Sequence, residues 1–156
     1  MTNYIKIEDI PGNATAQGHS DWIEIEQYHF SGRRSVNTYT GCGSDRATGK
    51  AVIGDIHITK KIDKSSPLLF QHFVKGKNID EIILDCCQSG DMSDPYQQLI
   101  LSNVMIASYN QDSKEQKEYL SLDFTKIETK YTSLNEKHSS AAPICAGFNI
   151  ATAEVS

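Results

Sequence analysis

Along most of this chain apolar and polar positions alternate, which marks strands with one dry and one wet face. Tyr4 to Ile10 sets Ile5 and Ile7 against Lys6 and Glu8, and Pro11-Gly12-Asn13 ends the run. A polar loop leads to His19. A second strand begins near Trp22, with Ile23 and Ile25 opposed by Glu24 and Glu26, after which the apolar residues shift to Tyr28 and Phe30. From Gly54, Ile56, Ile58 and Ile62 are interleaved with Asp55, His57, Thr59 and Lys61. Ile82, Leu84 and Cys86 define a strand over 78–88, followed by a Ser89-Gly90-Asp91 turn. A long strand over 96–109 carries Leu99 and Leu101, then Val104 and Ile106. Over 119–131, Leu120, Leu122 and Phe124 give way to Ile127, Thr129 and Tyr131, and a last strand falls around 147–155.

One stretch breaks the alternation. Ser65 or Ser66 is suited to cap a first helical turn, and Pro67 fits the first helical position, where no amide proton is needed. Gly76 is placed to stop the helix, with Lys75 and Lys77 at its negative end. Leu68, Leu69, Phe70, Phe73 and Val74 lie on more than one side, which predicts a well-packed helix. Three long strands change their buried face midway, as a strand does when it bends at a corner to serve two packed sheets. The predicted fold is therefore mainly β. It is a small antiparallel β-barrel of two packed sheets, with one short lateral α-helix at about 65–75 and a long extended loop at about 31–50. That loop, rich in Gly, Ser, Thr and Arg, is long for a compact domain. It reads either as a surface excursion or as an arm that orders against another chain.

Composition narrows the function classes. The 156 residues suit a single domain, 1–156. With 38% hydrophobic and 22% charged residues the chain is neither disordered nor a membrane protein. The start, M-T-N-Y-I-K-I-E-D-I, lacks the features of a secretory signal peptide, so export would need another route. A net charge of −5 argues against nucleic acid as the main partner. Cys42, Cys86, Cys87 and Cys145 show no metal or disulfide spacing and read as buried or half-buried free thiols. The five histidines show no ligand pattern, so no metal or cofactor is expected. Asp55 and His57 share a strand face, but no serine lies in a nucleophile-elbow context and no phosphate-binding loop is present. No active centre emerges, and His57 reads as a hydrogen-bonded structural residue. The doublets Arg33-Arg34 and Lys60-Lys61 suit salt bridges, within the chain or to a neighbour.

The string G-D-I-H-I-T-K-K-I-D-K-S-S-P-L-L-F, Gly54 to Phe70, resembles the central signature of the Hcp family of type VI secretion tail-tube proteins. The likeness extends to Y-I-K-I-E-D-I-P-G at the start and to His19, Trp22, Ile23, Glu24 and Ile25. It continues through Tyr96, Leu99, Leu101, Val104 and Ile106, and through Ser121 to Phe124 and Lys126 to Tyr131. The resemblance implies a non-catalytic subunit of hexameric rings that stack into a tube, carry small effectors and are expelled. Implied partners are a spike protein, a contractile sheath and baseplate proteins, with neither nucleic acid nor membrane insertion. The implied location is the bacterial cytoplasm, followed by export without a signal peptide. Candidate contacts between subunits are Arg33, Arg34, Tyr39, Arg46, Lys60 and Lys61, and candidate lumen-facing residues are Gln27, His29 and Ser31. The segment from Gln27 to Arg34 departs from the family's usual pattern, so cargo preference does not carry over. A stand-alone secreted binding protein or toxin on the same fold is the alternative, and a hydrolase using Asp55 and His57 a third.

Overall fold

The structure, a computed structural model, describes residues 1–36, 50–88, 94–133 and 142–156. Among these residues twelve strands and one helix follow in chain order. The strands are β1 (Thr2–Ile7), β2 (Ile23–Ile25), β3 (Gln27–His29), β4 (Gly32–Arg33), β5 (Val52–Ile53) and β6 (Ile56–Lys61), then, after helix α1 (Ser66–Lys75), β7 (Ile79–Cys87), β8 (Pro95–Asp112), β9 (Lys117–Asp123), β10 (Lys126–Tyr131), β11 (Ile144–Asn149) and β12 (Glu154–Val155).

Two antiparallel sheets face each other and share β8. The larger runs β12-β11-β10-β8-β7-β1-β2 and the smaller runs β3-β6-β9-β8. The expected face switches are the corners. On β8, Leu99 and Leu101 are buried in the first half, and Val104 and Ile106 in the second. Between them Asn103 takes a left-handed φ of 55°, which turns the strand from β10 as partner to β9. At the second corner β2 pairs with β1 and β3 with β6, and Glu26 sits between, its N–H donating to the Thr59 carbonyl at 2.8 Å. The single strand expected over 119–131 breaks into β9 and β10 for the same reason. The barrel expectation is corrected here: the ladders form two packed sheets and do not close into one barrel, because the chain changes sheets at these corners while β10, β11 and β12 extend the larger sheet outward. Ile23, Ile56, Leu69, Leu84, Leu101 and Leu122 fill the space between them.

The hairpin leading to the second strand is held by Gly12. Its N–H donates to the Asp21 carbonyl at 2.8 Å, and a Cβ there would lie 2.3 Å from the Trp22 carbonyl oxygen. Only glycine allows that approach.

The start of α1 differs from expectation. Ser65 makes no side-chain cap. Asp63 organises the turn instead: its Oδ1 accepts from the Ser65 amide at 2.9 Å and from the Ser65 hydroxyl, and its own N–H donates to Ser66 Oγ at 3.0 Å. Pro67 and Gly76 sit as predicted, with Gly76 at φ 60° and Lys77 N–H returning to the His72 carbonyl at 3.1 Å. The helix is not packed on all sides: Leu69 is fully buried, but Phe70 and Val74 are 51% and 64% exposed. The expected loop over 31–50 begins with a short strand pair, β4 with β5, so its stem is ordered sheet. Tyr39, Cys42 and Arg46 lie outside the described residues.

Candidate functional site

On β6 the inward positions are Ile56, Ile58 and then Lys60. Lys60 is 1% exposed, and its register partner on β9, Glu118, is fully buried. The Lys60 ammonium donates to Glu118 Oε2 at 2.7 Å, to Asp63 Oδ1 at 3.0 Å and to the Lys61 carbonyl at 2.8 Å. Three acceptors satisfy its three donors. Glu118 Oε1 accepts from the Tyr109 hydroxyl at 2.5 Å and from Gln111 Nε2 at 3.3 Å. Tyr109 in turn stacks on Phe73 and meets the edge of Phe70, so the network underlies α1. Lys60 is therefore withdrawn from the candidate contacts between subunits, because its charge is neutralised inside its own chain.

Burial, then the hydrogen bond and charge of Glu118, raises the Tyr109 phenol above the ordinary tyrosine value. Burial, reinforced by Cys86, pushes Tyr28 up to about 12. Both phenols hold their protons more tightly folded than unfolded. Their contribution to stability is thus complete below pH 10.0, the free tyrosine value, and is lost as pH rises through the folded values. Phenolate absorbance should show a late-titrating fraction that Tyr28→Phe and Tyr109→Phe each reduce. An unchanged titration curve in both variants would count against these environments.

The outward face of the smaller sheet is polar. His29, His57 and Ser121 form one cross-strand row, with His29 and His57 ring centroids 6.4 Å apart and His57 Nδ1 hydrogen-bonded to Ser121 Oγ at 2.8 Å. Asp55 lies close by, its carboxyl raised by partial burial and by Asp123, and lowered again by His57. This is not the geometry of a serine triad, in which Nδ1 is held by the carboxylate and Nε2 faces the hydroxyl. Here Nδ1 is spent on the serine, on an open sheet face. Gln27 shares this face, whereas Ser31 follows β3 and accepts from the Gly54 amide through its carbonyl at 2.9 Å. Lys61 faces Lys117 across the strands, and Glu26 pairs with Lys117 at 3.0 Å, which relieves the like-charge contact. Arg33 on β4 and Arg34 beyond it are exposed.

A buried polar cluster ties the 11–22 loop to β7. His19 Nε2 donates to Asp85 Oδ2 at 2.9 Å, and Gln98 Nε2 donates to Asp85 Oδ1 at 2.8 Å. Tyr4 stacks on the His19 ring and Trp22 meets it edge-on. Cys87 Sγ is 3.9 Å from the same His19 nitrogen. Burial, with Asp85 adding to it, pushes the Cys87 thiol up to about 11, so this cysteine is a poor nucleophile. Cys86 and Cys87 are buried as expected, but Cys145 is exposed at the end of β11, beyond the cover of the smaller sheet. A thiol reagent should label Cys145 in the native protein and Cys86 and Cys87 only after unfolding, as peptide mass spectrometry would read. Among the described residues no group of three or more His, Cys, Asp or Glu side chains is arranged to hold a metal.

An apolar groove of about 310 Å³ opens where β10 and β11 run past the smaller sheet. Phe30, Ile53, Leu99, Ile127, Ala146 and Phe148 line most of it, and Tyr28 donates to Gln97 Oε1 at 3.3 Å in its wall.

Two sheets sharing a bent strand, with one lateral helix, is the architecture of solved type VI secretion proteins. A structure described as a type six secretion system protein superposes with a TM-score of 0.91 at 20% identity, over 99% of each chain. Hcp1 from Salmonella typhimurium matches with a TM-score of 0.78 at 19% identity, over 99% of this chain and 98% of its own. A type VI secretion system effector from Yersinia pestis matches with 0.75 at 22% identity, over 94% and 98%. At these identities the likeness shows the fold. No curated protein matches the sequence. The family model for the type VI secretion system effector Hcp matches residues 4–131, and the chain belongs to that family.

Proposed function

We propose that this chain is a non-catalytic subunit of the type VI secretion tube. Six copies form a ring, rings stack, and the tube is expelled with its spike when a sheath anchored on baseplate proteins contracts. Small effector proteins travel in the lumen against the wall that carries Gln27, His29 and Ser31. The protein starts in the cytoplasm and leaves by this machine. Arg33, Arg34 and Lys61, all exposed, serve contacts between subunits.

One observation supports this reading beyond the family itself. The outward face of the smaller sheet carries Gln27, His29, His57, Lys61, Lys117 and Ser121, interrupted by Tyr119, while Phe70 and Val74 on α1 and Tyr131, Ile144 and Val155 on the β10–β12 flank are apolar and exposed. A largely polar wall beside exposed apolar groups suits a subunit that faces water on one side and copies of itself on others. Light scattering at high concentration should give a mass several times that of the monomer. A strict monomer would count heavily against it. Export that persisted in a strain lacking the sheath would instead favour the stand-alone secreted binding protein or toxin.

A further inference from the structure

We infer that His29 and His57 together chelate a divalent transition-metal ion of the Ni(II), Cu(II) or Zn(II) class on the outward face of the smaller sheet. The site lies within one copy and does not depend on the ring-subunit reading.

The two histidines come from different strands, His29 from the end of β3 and His57 from β6, and they stand in direct register. Residues directly opposed on an antiparallel pair project from the same face, with Cβ atoms about 4.5–5.5 Å apart. Both side chains are exposed, and their ring centroids are 6.4 Å apart with 24° between the planes. An imidazole nitrogen binds such an ion at about 2.0–2.1 Å, and the ring centre lies about 1.2 Å behind it. Two rings on one ion therefore have centres about 4.6–6.5 Å apart, for N–metal–N angles of about 90–180°. The observed spacing is at the open end of that range. Exposed rings turn freely about χ1 and χ2, and an approach of about 1 Å gives the tetrahedral angle.

Ser121 supplies an independent observation. A histidine ligates through the nitrogen that carries no proton, and its other N–H is ordinarily held by an oxygen that fixes the tautomer. His57 Nδ1 lies 2.8 Å from Ser121 Oγ. With Nδ1–H donated to that oxygen, Nε2 keeps its lone pair for a metal. The arrangement that fails as a serine triad is the one a metal ligand needs. Asp55 is within electrostatic reach of His57 and of Asp123, so the surroundings favour a cation.

No third His, Cys, Asp or Glu among the described residues joins the pair in ligating position, so water completes the shell. Such an open shell makes the ion exchangeable and leaves the fold independent of it. Imidazole donors select borderline ions and leave Mg(II) and Ca(II) to carboxylates and carbonyls.

Calorimetric titration of the full chain with NiCl2 and with MgCl2 tests the site. Wild type should bind Ni(II) and not Mg(II). His29→Ala and His57→Ala should each weaken Ni(II) binding about tenfold or more, and the double variant should be hardly weaker than either, because losing one ring already breaks the chelate. Ser121→Ala keeps both ligands and should cost about tenfold through the freed His57 ring. Both histidines are exposed, so circular dichroism should report an unchanged fold in their variants. Wild-type protein that ignores Ni(II), or either single-histidine variant binding as tightly as wild type, would overturn the inference. So would losses that simply add between the two single variants, since each ring would then bind alone. None of these outcomes bears on ring assembly.

Discussion

Lys60→Met, with Glu118 left in place, should destabilise the fold by about 3–5 kcal/mol, because it strands a carboxylate in the core without its counter-charge. Glu118 is fully buried, and Tyr109 and Gln111 alone would remain to solvate it. Asp63 would lose its ammonium contact too, loosening the turn that starts α1. The double variant Lys60→Met/Glu118→Leu should recover most of the loss. An apolar pair of similar size avoids the desolvation cost that the ion pair only offsets, and such swaps are often neutral or better. Urea midpoints at neutral pH read both steps. A single variant within about 0.5 kcal/mol of wild type, the range of ordinary surface changes, would mean that the pair is solvated and the core placement wrong.

This pair is legible in the sequence from strand parity. Lys60 has the same parity as Ile56 and Ile58, so strand geometry alone points it inward with them. Glu118 stands in the same relation to Leu120 and Leu122. One charge at an inward position on each of two neighbouring strands calls for a cross-strand partner, because an unpaired buried charge is prohibitive. Lys60 and Lys61 are a basic doublet in sequence only, because on a strand neighbours face opposite ways. The corners are legible because a change of phase is local: Leu101 followed by Val104, and Ile25 followed by Tyr28, record it directly. The ladders were not legible, since the pairing of β6 with β3 and β9 and the extension by β10 to β12 depend on contacts far apart in sequence. The row of His29, His57 and Ser121 comes from three such strands, and no spacing in the chain announces it. The helix start shows a third kind of miss. Two serines suggested a cap, but Asp63, two residues earlier, offers a charged acceptor that also meets Lys60, and it prevails.

Leu69→Ala should cost about 2–5 kcal/mol, whereas Val74→Ala, on the same helix, should change monomer stability by no more than about 0.5 kcal/mol. Leu69 is the apolar side chain of α1 that is fully buried, set against Ile58, Ile25, Leu120 and their neighbours in the core. Removing it opens a cavity where the helix meets the space between the sheets. Val74 is 64% exposed, so shortening it opens no cavity in the core. The sequence offers both as apolar helix residues; what separates them is that one side of α1 completes the core of its own chain and the other does not. Thermal or urea unfolding of dilute protein reads the first effect without interference from assembly, since dilution removes any contribution from bound copies. If Leu69→Ala proved as mild as Val74→Ala, α1 would be an appendage held by its ends. A large loss at Leu69 beside a negligible one at Val74 would instead show that the inner face of the helix completes the core between the sheets.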